Sequence, residues 1–305
     1  EKGGILNDPV LLRLSEDEFW FSISDSDLLL WLQGVNVAKQ YDVEIDEIDV
    51  CPVQIQGPLS EDLMAKLAGD ELREIPYYGL METKVGGADC VISQTGFTGE
   101  KGYEIYVRDA HENAEKMWNA VLEAGEEFGL MVIAPAHHRR IAAGILSWGQ
   151  DLDHETSPFQ VNLSYQVPRN KKSDYIGKKE LERQRATIDE GKAPFKMKMV
   201  GITLGGKEIT DYAPDFWLVT DTEDNEVGYV TSPWWSPELE TNIALAWVPW
   251  NESEVGTKYK VKLPDEYSVE SGVSVDAEIV DVPFRESVNP NKREVQAAKG
   301  LDFAE

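Results

Sequence analysis

The feature that most constrains the fold of this 305-residue sequence is the change in its pattern near Phe195. From there to about residue 287 the chain consists of short apolar runs separated by Gly, Pro, Asp and Asn. Short strands at regular spacing, with turn residues between them, are typical of β-barrels and sandwiches. The runs are "MKMVGITL", "FWLVTD", "EVGYVTS", "NIALAWVPW", "KYKVKL" and "SVDAEIVDVPF". The sequence therefore predicts a C-terminal β-barrel domain over 194–287.

The preceding part of the chain mixes strand and helix patterns. "YYGLMETKVGGADCVISQTGF" predicts two strands joined by Gly86-Gly87, the strongest hairpin signal in the sequence. "HENAEKMWNAVLEAGEEFG" carries apolar residues at helical spacing. A further helix is predicted from "APAHHRRIAAG" to about Gly149. Strands and helices that alternate within about a hundred residues predict an α+β fold.

Charge and composition exclude several classes of protein. The sequence has 56 Asp and Glu against 29 Lys and Arg, a formal net charge of -27. Such a surface repels the phosphates of nucleic acids and of anionic membranes. No apolar run is long enough to cross a bilayer. We therefore expect a soluble, cytoplasmic protein without a nucleic-acid or membrane partner.

Cysteine and histidine usage gives no sign of a metal site. Cys51 and Cys90 lie in apolar, strand-like runs, and we expect two small buried thiols in a reducing compartment. The sequence has no CxxC motif. His137 and His138 are adjacent, so on a helix they point about 100° apart. This geometry does not favour metal binding, and no metal is predicted.

The stretch "TGFTGEKGYEI", residues 95–105, carries glycines at steps of three. A phosphate-binding loop would open a helix, whereas a strand follows Gly102, so the phosphate interpretation fails. What remains is a tight turn between two strands. On the second strand, Glu104 and Tyr106 share one face, opposite Tyr103. Glu104 either enters a pocket or is a solvated charge on a glycine-rich hairpin.

Three other patterns are candidates for a site. Asp8 is the carboxylate in "GGILNDPV", where an Asx turn is the alternative. On the predicted helix, the guanidinium of Arg140 can point along a groove lined by small residues, with Trp148 further on. Trp234 and Trp235 lie in a Pro-framed segment. They are candidates to wall a pocket for a flat ring or to bind a cation, although core packing explains some tryptophans.

Four blocks, in this order and spacing, resemble the signatures of a known family. They are "TGFTGEKGYEIYV", "RIAAGILSWGQDLDHETSPFQVNLSYQV", "DYIGKKEL" and "GYVTSPWWSPELETNIALAWVP". The similarity is to the folate-dependent aminomethyltransferases, which comprise the glycine-cleavage T protein and its demethylase relatives. It extends over residues 3–285, nearly the whole chain.

The resemblance implies a three-domain cloverleaf with tetrahydrofolate in its central opening. It implies a ferredoxin-like middle unit, a C-terminal barrel or jelly-roll-like domain, and a first domain whose N-terminal portion is missing here. An open sheet edge there would favour homo-oligomers. The expected divisions are 1–47 (remainder of the first domain), 48–134 (ferredoxin-like domain), 135–193 (return to the first domain and linker), 194–287 (barrel) and 288–305 (tail).

The resemblance also implies roles for individual residues. Asp8 matches the acid thought to act near the reacting folate nitrogen, which makes it the predicted catalytic residue. Glu104 matches the glutamate that accepts hydrogen bonds from the pterin edge. Arg140 matches an arginine expected to orient the folate. Apolar or aromatic walls would complete such a site, and the candidates for them are Tyr103, Trp148, Trp234 and Trp235.

Three functions of this family remain open on the sequence. The "NDPV" and "FWFSISDSD" segments look more like the demethylase branch, which moves a methyl group from a small-molecule sulfonium, methoxy or N-methyl donor to tetrahydrofolate. The alternative is an aminomethyltransferase of the glycine cleavage system, whose partner would be a lipoyl carrier protein. A non-catalytic folate-binding relative is a second alternative, although its "KGCYxGQE" motif does not occur here.

Overall fold

The computed structural model describes residues 2–23, 27–134 and 137–285. In these ranges the chain forms two compact units, one from residues 2–6 and 137–285 and one from residues 7–23 and 27–134. The predicted tail at 288–305 lies outside the described residues. Within the described part of the chain, every helix is too short or too polar to cross a bilayer.

The unit formed by 7–23 and 27–134 contains a two-stranded hairpin, a four-stranded sheet and three α-helices. Its elements are β1 (Val10–Arg13), β2 (Phe19–Ser22), α1 (Leu28–Lys39), β3 (Val50–Gln56), α2 (Ser60–Ala68), β4 (Leu80–Val85), β5 (Ala88–Ser93), β6 (Gly102–Arg108) and α3 (Ala110–Gly125).

The four-stranded sheet is antiparallel throughout, in the order β3-β6-β5-β4. The predicted hairpin is confirmed, because Gly86 and Gly87 join β4 to β5 with φ of 59° and 82°. Helices α2 and α3 pack on one face through Leu63, Met64 and Met117. The chain order is β–α–β–β–β–α, not the β–α–β–β–α–β of a ferredoxin-like unit. The ferredoxin-like expectation therefore describes the layers but not the connectivity.

The other face of this sheet is partly covered by the β1–β2 hairpin. Leu12 and Trp20 point inward from the hairpin and contact Val91 and Tyr106 on the sheet. The guanidinium of Arg108 lies 4.5 Å from the centre of the Trp20 ring. The hairpin thus covers this face of β6 at Tyr106 and Arg108. Glu104 is the preceding residue of β6 on the same face.

The second unit contains a closed six-stranded barrel, which confirms the predicted C-terminal barrel and the α+β class. The barrel order is β10-β7-β12-β11-β8-β9. The elements are α4 (His137–Ala142), α5 (Lys178–Asp189), β7 (Met197–Leu204), β8 (Trp217–Thr220), β9 (Glu226–Ser236), β10 (Thr241–Pro249), β11 (Lys258–Val261) and β12 (Val275–Val280). Alternate residues such as Ile202, Val219, Ala246 and Val261 fill the interior.

The N-terminal glycines hold the first residues of the chain against this unit. A Cβ on Gly4 would lie 1.9 Å from the carbonyl oxygen of His154, so only glycine allows this approach. The Ile5 N–H donates to the Thr156 carbonyl at 2.8 Å. The chain enters the other unit immediately afterwards, at Asn7.

Three predictions of local structure are wrong. The helix at His137 ends at Ala142 and not near Gly149, because Gly144 turns the chain at φ 67°. The Trp234–Trp235 pair lies in strand β9 and not in a loop. Cys90 is buried as expected, but Cys51 is exposed, because β3 is an edge strand of its sheet.

Candidate functional site

Glu104 lies on β6, where its register partners are Gln54 on β3 and Ser93 on β5. The glycines of the preceding turn make this position possible. Gly99 adopts a φ of 72°. A Cβ on Gly102 would lie 2.7 Å from the Ile55 carbonyl oxygen, so a side chain there would push β6 away from β3. The motif is a turn between strands, as predicted.

The carboxylate of Glu104 is held by two hydroxyl groups on the same oxygen. The Thr95 hydroxyl donates to Oε2, and the Tyr106 hydroxyl donates to Oε2 at 3.0 Å. Desolvation and the negative charge of Glu104 raise the pKa of Tyr106, so its hydroxyl remains a donor. Among the described residues, Oε1 of Glu104 takes no hydrogen bond. A half-buried carboxylate therefore has a fixed orientation and a free oxygen.

Tyr78 is a third residue of this site, and we did not predict it from the sequence. Its backbone N–H donates to the carbonyl of Gln94 at 3.1 Å, which places it beside Thr95. Desolvation raises the pKa of the Tyr78 phenol, and the charges of Asp8 and Glu104 raise it further. Asp8 and Glu104 are thus both close enough to Tyr78 to act on its phenol electrostatically, and their shared role in a ligand site stays a prediction.

Asp8 combines solvent access with an unfavourable environment for its charge. The residue is exposed. Desolvation by the surrounding protein nevertheless raises the pKa of its carboxyl group above 3.8. A carboxylate with a raised pKa is a better proton acceptor than an ordinary aspartate.

Tyr103 does not belong to this site. It points to the opposite face of the sheet, is 0% exposed and packs in the core beneath α2 and α3. Its hydroxyl lies within hydrogen-bonding distance of Gln94 and Glu61. The prediction that Tyr103 walls a ligand is therefore wrong, because the alternation of strand side chains places it opposite Glu104.

Arg140 is buried in the interior of the other unit. It is 0% exposed and forms a buried ion pair with Asp151, with 2.8 Å between Nη1 and Oδ2. A guanidinium has five N–H donors. All five bond within the protein, to His137 Nδ1, the Ile145 carbonyl, Asp151 Oδ2, Gln150 Oε1 and Ser232 Oγ. The prediction that Arg140 orients a ligand is therefore wrong in this structure.

The partner carboxylate is equally saturated. Asp151 Oδ2 also accepts the Ser147 N–H at 2.8 Å, and Oδ1 accepts the hydroxyls of Thr231 and Ser232 at 2.6 Å each. The pair joins the 147–151 turn to β9. Its role is structural, since a buried charge is tolerated only when it is paired and hydrogen-bonded.

The predicted aromatic residues of this unit do not form one wall. Trp234 stacks on His137, with ring centres 6.0 Å apart, and Trp235 points to the opposite face of β9. Trp148 packs against the hydrophobic cluster beneath α4. The cavity beside Trp234 and His137 has about 10 Å³ of space, room for roughly one water molecule and not for a pterin ring.

The surroundings of His137 disfavour the charged form of its imidazole. Its Nδ1 accepts a hydrogen bond from Arg140 Nε at 3.3 Å, and desolvation and the charge of Arg140 lower its pKa. The described residues include no group of three or more His, Cys, Asp and Glu side chains placed to bind a metal ion.

Family comparisons agree with this architecture. Residues 1–171 match the model of the GCVT N-terminal domain, and residues 198–285 match that of the glycine cleavage T-protein C-terminal barrel domain. The dimethylsulfoniopropionate demethylase DmdA of Ruegeria pomeroyi is 34% identical over 264 residues, which cover 87% of this chain and 69% of that protein. An aminomethyltransferase of Clostridium botulinum is 32% identical over 271 residues, 86% of this chain and 70% of that protein.

A solved structure shows the same fold. The glycine cleavage system aminomethyltransferase T of Bartonella henselae superposes with a TM-score of 0.70 at 23% identity, covering 94% of this chain and 74% of that chain. The chain belongs to the glycine-cleavage T-protein family, whose members are tetrahydrofolate-dependent methyl and aminomethyl transferases.

Proposed function

We propose that this protein is a tetrahydrofolate-dependent demethylase that takes a methyl group from a sulfonium donor. The observation that carries the proposal is the hydrogen bonding of the Glu104 carboxylate. Two hydroxyl groups fix one oxygen of its carboxylate, and the other oxygen accepts no hydrogen bond from the described residues. An acceptor prepared in this way is suited to a flat ligand with neighbouring N–H donors.

The donor set fits the edge of a pterin ring. A carboxylate oxygen has two lone pairs, so Oε1 of Glu104 can accept two adjacent N–H groups. Because Glu104 is on a central strand and its orientation is fixed by Thr95 and Tyr106, little side-chain freedom remains to be lost on binding. Asp8 and Tyr78 would lie near the bound ring, since both interact electrostatically with this corner of the sheet.

Bound tetrahydrofolate supplies the nucleophilic N5 atom that accepts the methyl group. The sulfonium donor gives up its methyl group, and the electron pair of the broken C–S bond stays on sulfur. Asp8 accepts the proton that the transfer releases, for which its raised pKa is favourable. No covalent enzyme intermediate is needed, so the contribution of the protein is alignment and electrostatic stabilisation.

The sulfonium donor is proposed because a relative with 34% identity is named a dimethylsulfoniopropionate demethylase. The second candidate is the aminomethyltransferase reaction, which is favoured by the Clostridium botulinum relative at 32% identity and by the fold of the Bartonella henselae enzyme. In that case a lipoyl carrier protein would present the substrate.

Calorimetric titration with tetrahydrofolate tests the role of Glu104. Glu104→Ala should weaken binding about 30- to 100-fold, because hydrogen bonds to a charged group contribute about 1.5–3 kcal/mol. The matched control is Glu100→Ala, which removes a carboxylate from the same turn and should leave the affinity within about twofold. Equal affinity of the Glu104→Ala and unaltered chains would contradict the proposed folate site.

A donor screen separates the two candidate reactions. The purified protein is incubated with tetrahydrofolate and either dimethylsulfoniopropionate or an aminomethyl-lipoyl carrier protein, and the folate product is identified by mass. Formation of 5-methyltetrahydrofolate with the first donor supports the demethylase. Formation of 5,10-methylenetetrahydrofolate with the second donor alone would establish the aminomethyltransferase instead.

A further inference from the structure

Tyr78 has a backbone conformation that is uncommon for a tyrosine. Its φ is 64°, in the left-handed region. Bulky residues adopt this conformation only when the surrounding structure imposes it, and such residues cluster at functional sites. Here the Tyr78 N–H donates to the Gln94 carbonyl at 3.1 Å, and the Gln94 N–H donates to the Gly79 carbonyl at 3.1 Å. The turn is thus fixed to the residue that precedes Thr95.

The ring of Tyr78 is held in place but remains open to solvent. It contacts Tyr77 in a T-shaped arrangement, with 4.4 Å between ring centres. Even so, 41% of the residue is exposed. The core takes up Tyr103 and Tyr106 of the same sheet but not Tyr78. The strained backbone therefore keeps Tyr78 outside the core, with part of the residue open to solvent.

The charges around this ring favour a cation. Glu104 lies near Tyr78, because the Gln94 carbonyl that accepts the Tyr78 N–H precedes Thr95, whose hydroxyl donates to Glu104. Desolvation and, after it, the charges of Asp8 and Glu104 raise the pKa of the Tyr78 phenol. The phenol is therefore neutral at ordinary pH and adds no third negative charge. An aromatic face attracts onium groups through its quadrupole, and nearby carboxylates strengthen that attraction. A neutral donor would gain nothing from this arrangement.

We propose that Tyr78 is a specificity-determining residue, whose ring binds the positively charged centre of the methyl donor beside Asp8 and Glu104. This inference rests on the proposed function, since it assigns the donor to the site in which Glu104 binds the pterin ring. It predicts that sulfonium and quaternary ammonium donors are preferred over uncharged molecules of the same shape.

Calorimetry on protein saturated with folic acid tests the inference, because its oxidised pterin ring keeps the hydrogen-bonding edge but has no nucleophilic N5 that could accept a methyl group. The two probes are dimethylsulfoniopropionate and its thioether analogue 3-(methylthio)propionate, which keeps the carboxylate but has an uncharged sulfur. Tyr78→Leu should weaken binding of the sulfonium about tenfold, as expected for a partly desolvated cation–π contact. Affinity for the thioether should not change. Tyr78→Phe keeps the ring, so it should retain sulfonium affinity within about twofold.

Controls separate this role from a structural one. Tyr41→Leu removes another exposed tyrosine of the same unit and should change neither affinity. The inference is overturned if Tyr78→Leu weakens tetrahydrofolate, thioether and sulfonium alike, if Tyr78→Phe loses as much as Tyr78→Leu, or if the unaltered chain does not prefer the sulfonium. Tetrahydrofolate binding is measured separately. Its loss in the unaltered chain would refute the proposed function, whereas normal folate binding without a sulfonium preference would refute only the role of Tyr78.

Discussion

Two carboxylates of this protein, one in each compact unit, accept hydrogen bonds from hydroxyl groups. They differ in whether both of their oxygens have protein partners. Asp151 has a cation, a backbone N–H and two hydroxyls as partners, and both of its oxygens are used. One oxygen of Glu104 accepts hydrogen bonds from two hydroxyl groups. Its other oxygen accepts none from the residues that the structure describes. The first arrangement is complete within the protein, and the second leaves an oxygen that, in our proposal, a ligand occupies.

Burial explains the difference. The side chains of Arg140 and Asp151 are both 0% exposed, so any unsatisfied donor or acceptor there would destabilise the fold. Glu104 is half-buried, and water can satisfy its free oxygen until a ligand replaces it. Polar residues of similar appearance in the sequence therefore serve stability in one unit and, in our proposal, binding in the other.

The largest expected effect concerns the saturated pair. Arg140→Met leaves the Asp151 carboxylate buried without its cation, and should lower the free energy of unfolding of that unit by about 3–5 kcal/mol. Arg140→Met combined with Asp151→Leu removes both charges and should recover part of this loss. Urea unfolding followed by tryptophan fluorescence measures both variants, with a separate transition fitted for each unit.

The control for that comparison is an exposed pair. Arg183→Met breaks the surface ion pair with Glu180 and should cost less than about 1 kcal/mol. If Arg140→Met instead retains its stability and binds tetrahydrofolate more weakly, Arg140 contacts the ligand after all, as the sequence resemblance implied.

The second effect concerns the proton acceptor. Asp8→Asn should lower kcat about 100-fold, at the lower end of the range for general acid–base catalysis. Desolvation by the surrounding protein raises the pKa of Asp8 above its ordinary value, so the active carboxylate form is lost as pH falls through that raised value. The rate of the unaltered chain should therefore decline on the acid side, at a higher pH than an ordinary aspartate would give. The pH–rate profile of Asp8→Asn should lack this decline, and an identical acid limb in both would exclude Asp8 as its source.

A third effect concerns the strand that carries Glu104. Gly102→Ala brings a methyl group against the Ile55 carbonyl and should cost about 1–3 kcal/mol of stability while weakening tetrahydrofolate binding. Gly34→Ala is the control, because Gly34 lies within helix α1 and a Cβ at this position has no neighbour within 4 Å. It should be neutral or stabilise the unit by up to about 1 kcal/mol. Equal stability of the two variants would show that β6 can shift freely.

The smallest effect concerns the orientation of Glu104. Thr95→Val removes one donor to Oε2 with little change in shape, and should weaken tetrahydrofolate binding about fivefold, corresponding to about 1 kcal/mol. The control is Thr98→Val, a change in the same turn. It removes a hydroxyl that donates to Gln56 on β3 and should leave the affinity unchanged. If the two variants behave alike, the turn is only structural and Glu104 needs no orienting donor.

Much of the fold followed from local pattern. The spacing of turn residues after Phe195 predicted the barrel, and Gly86-Gly87 predicted the β4–β5 hairpin. These features depend on backbone conformations that only certain residues adopt, so they are legible in the sequence. The same holds for the pairing of Glu104 with Tyr106 on one strand face, which follows from the period of two.

Other features depend on partners far away in the chain. The structural role of Arg140 could not be predicted from the sequence, because Ser232, which accepts one of its hydrogen bonds, lies 92 residues later in the chain. Tyr78 carried only a weak signal, an aromatic pair before a glycine at the start of a strand. Its exposure and its interaction with Asp8 depend on the folding of segments 70 residues apart.

By itself, the sequence determined the α+β class, the barrel, the glycine-rich turn and the family, because these rest on local conformational preference and on ordered motifs. Only the tertiary structure decided which polar groups are satisfied. It gave Arg140 five protein partners and left one oxygen of Glu104 without any among the described residues. Hydrogen bonding and burial depend on which distant segments meet, and that information exists only once the chain has folded.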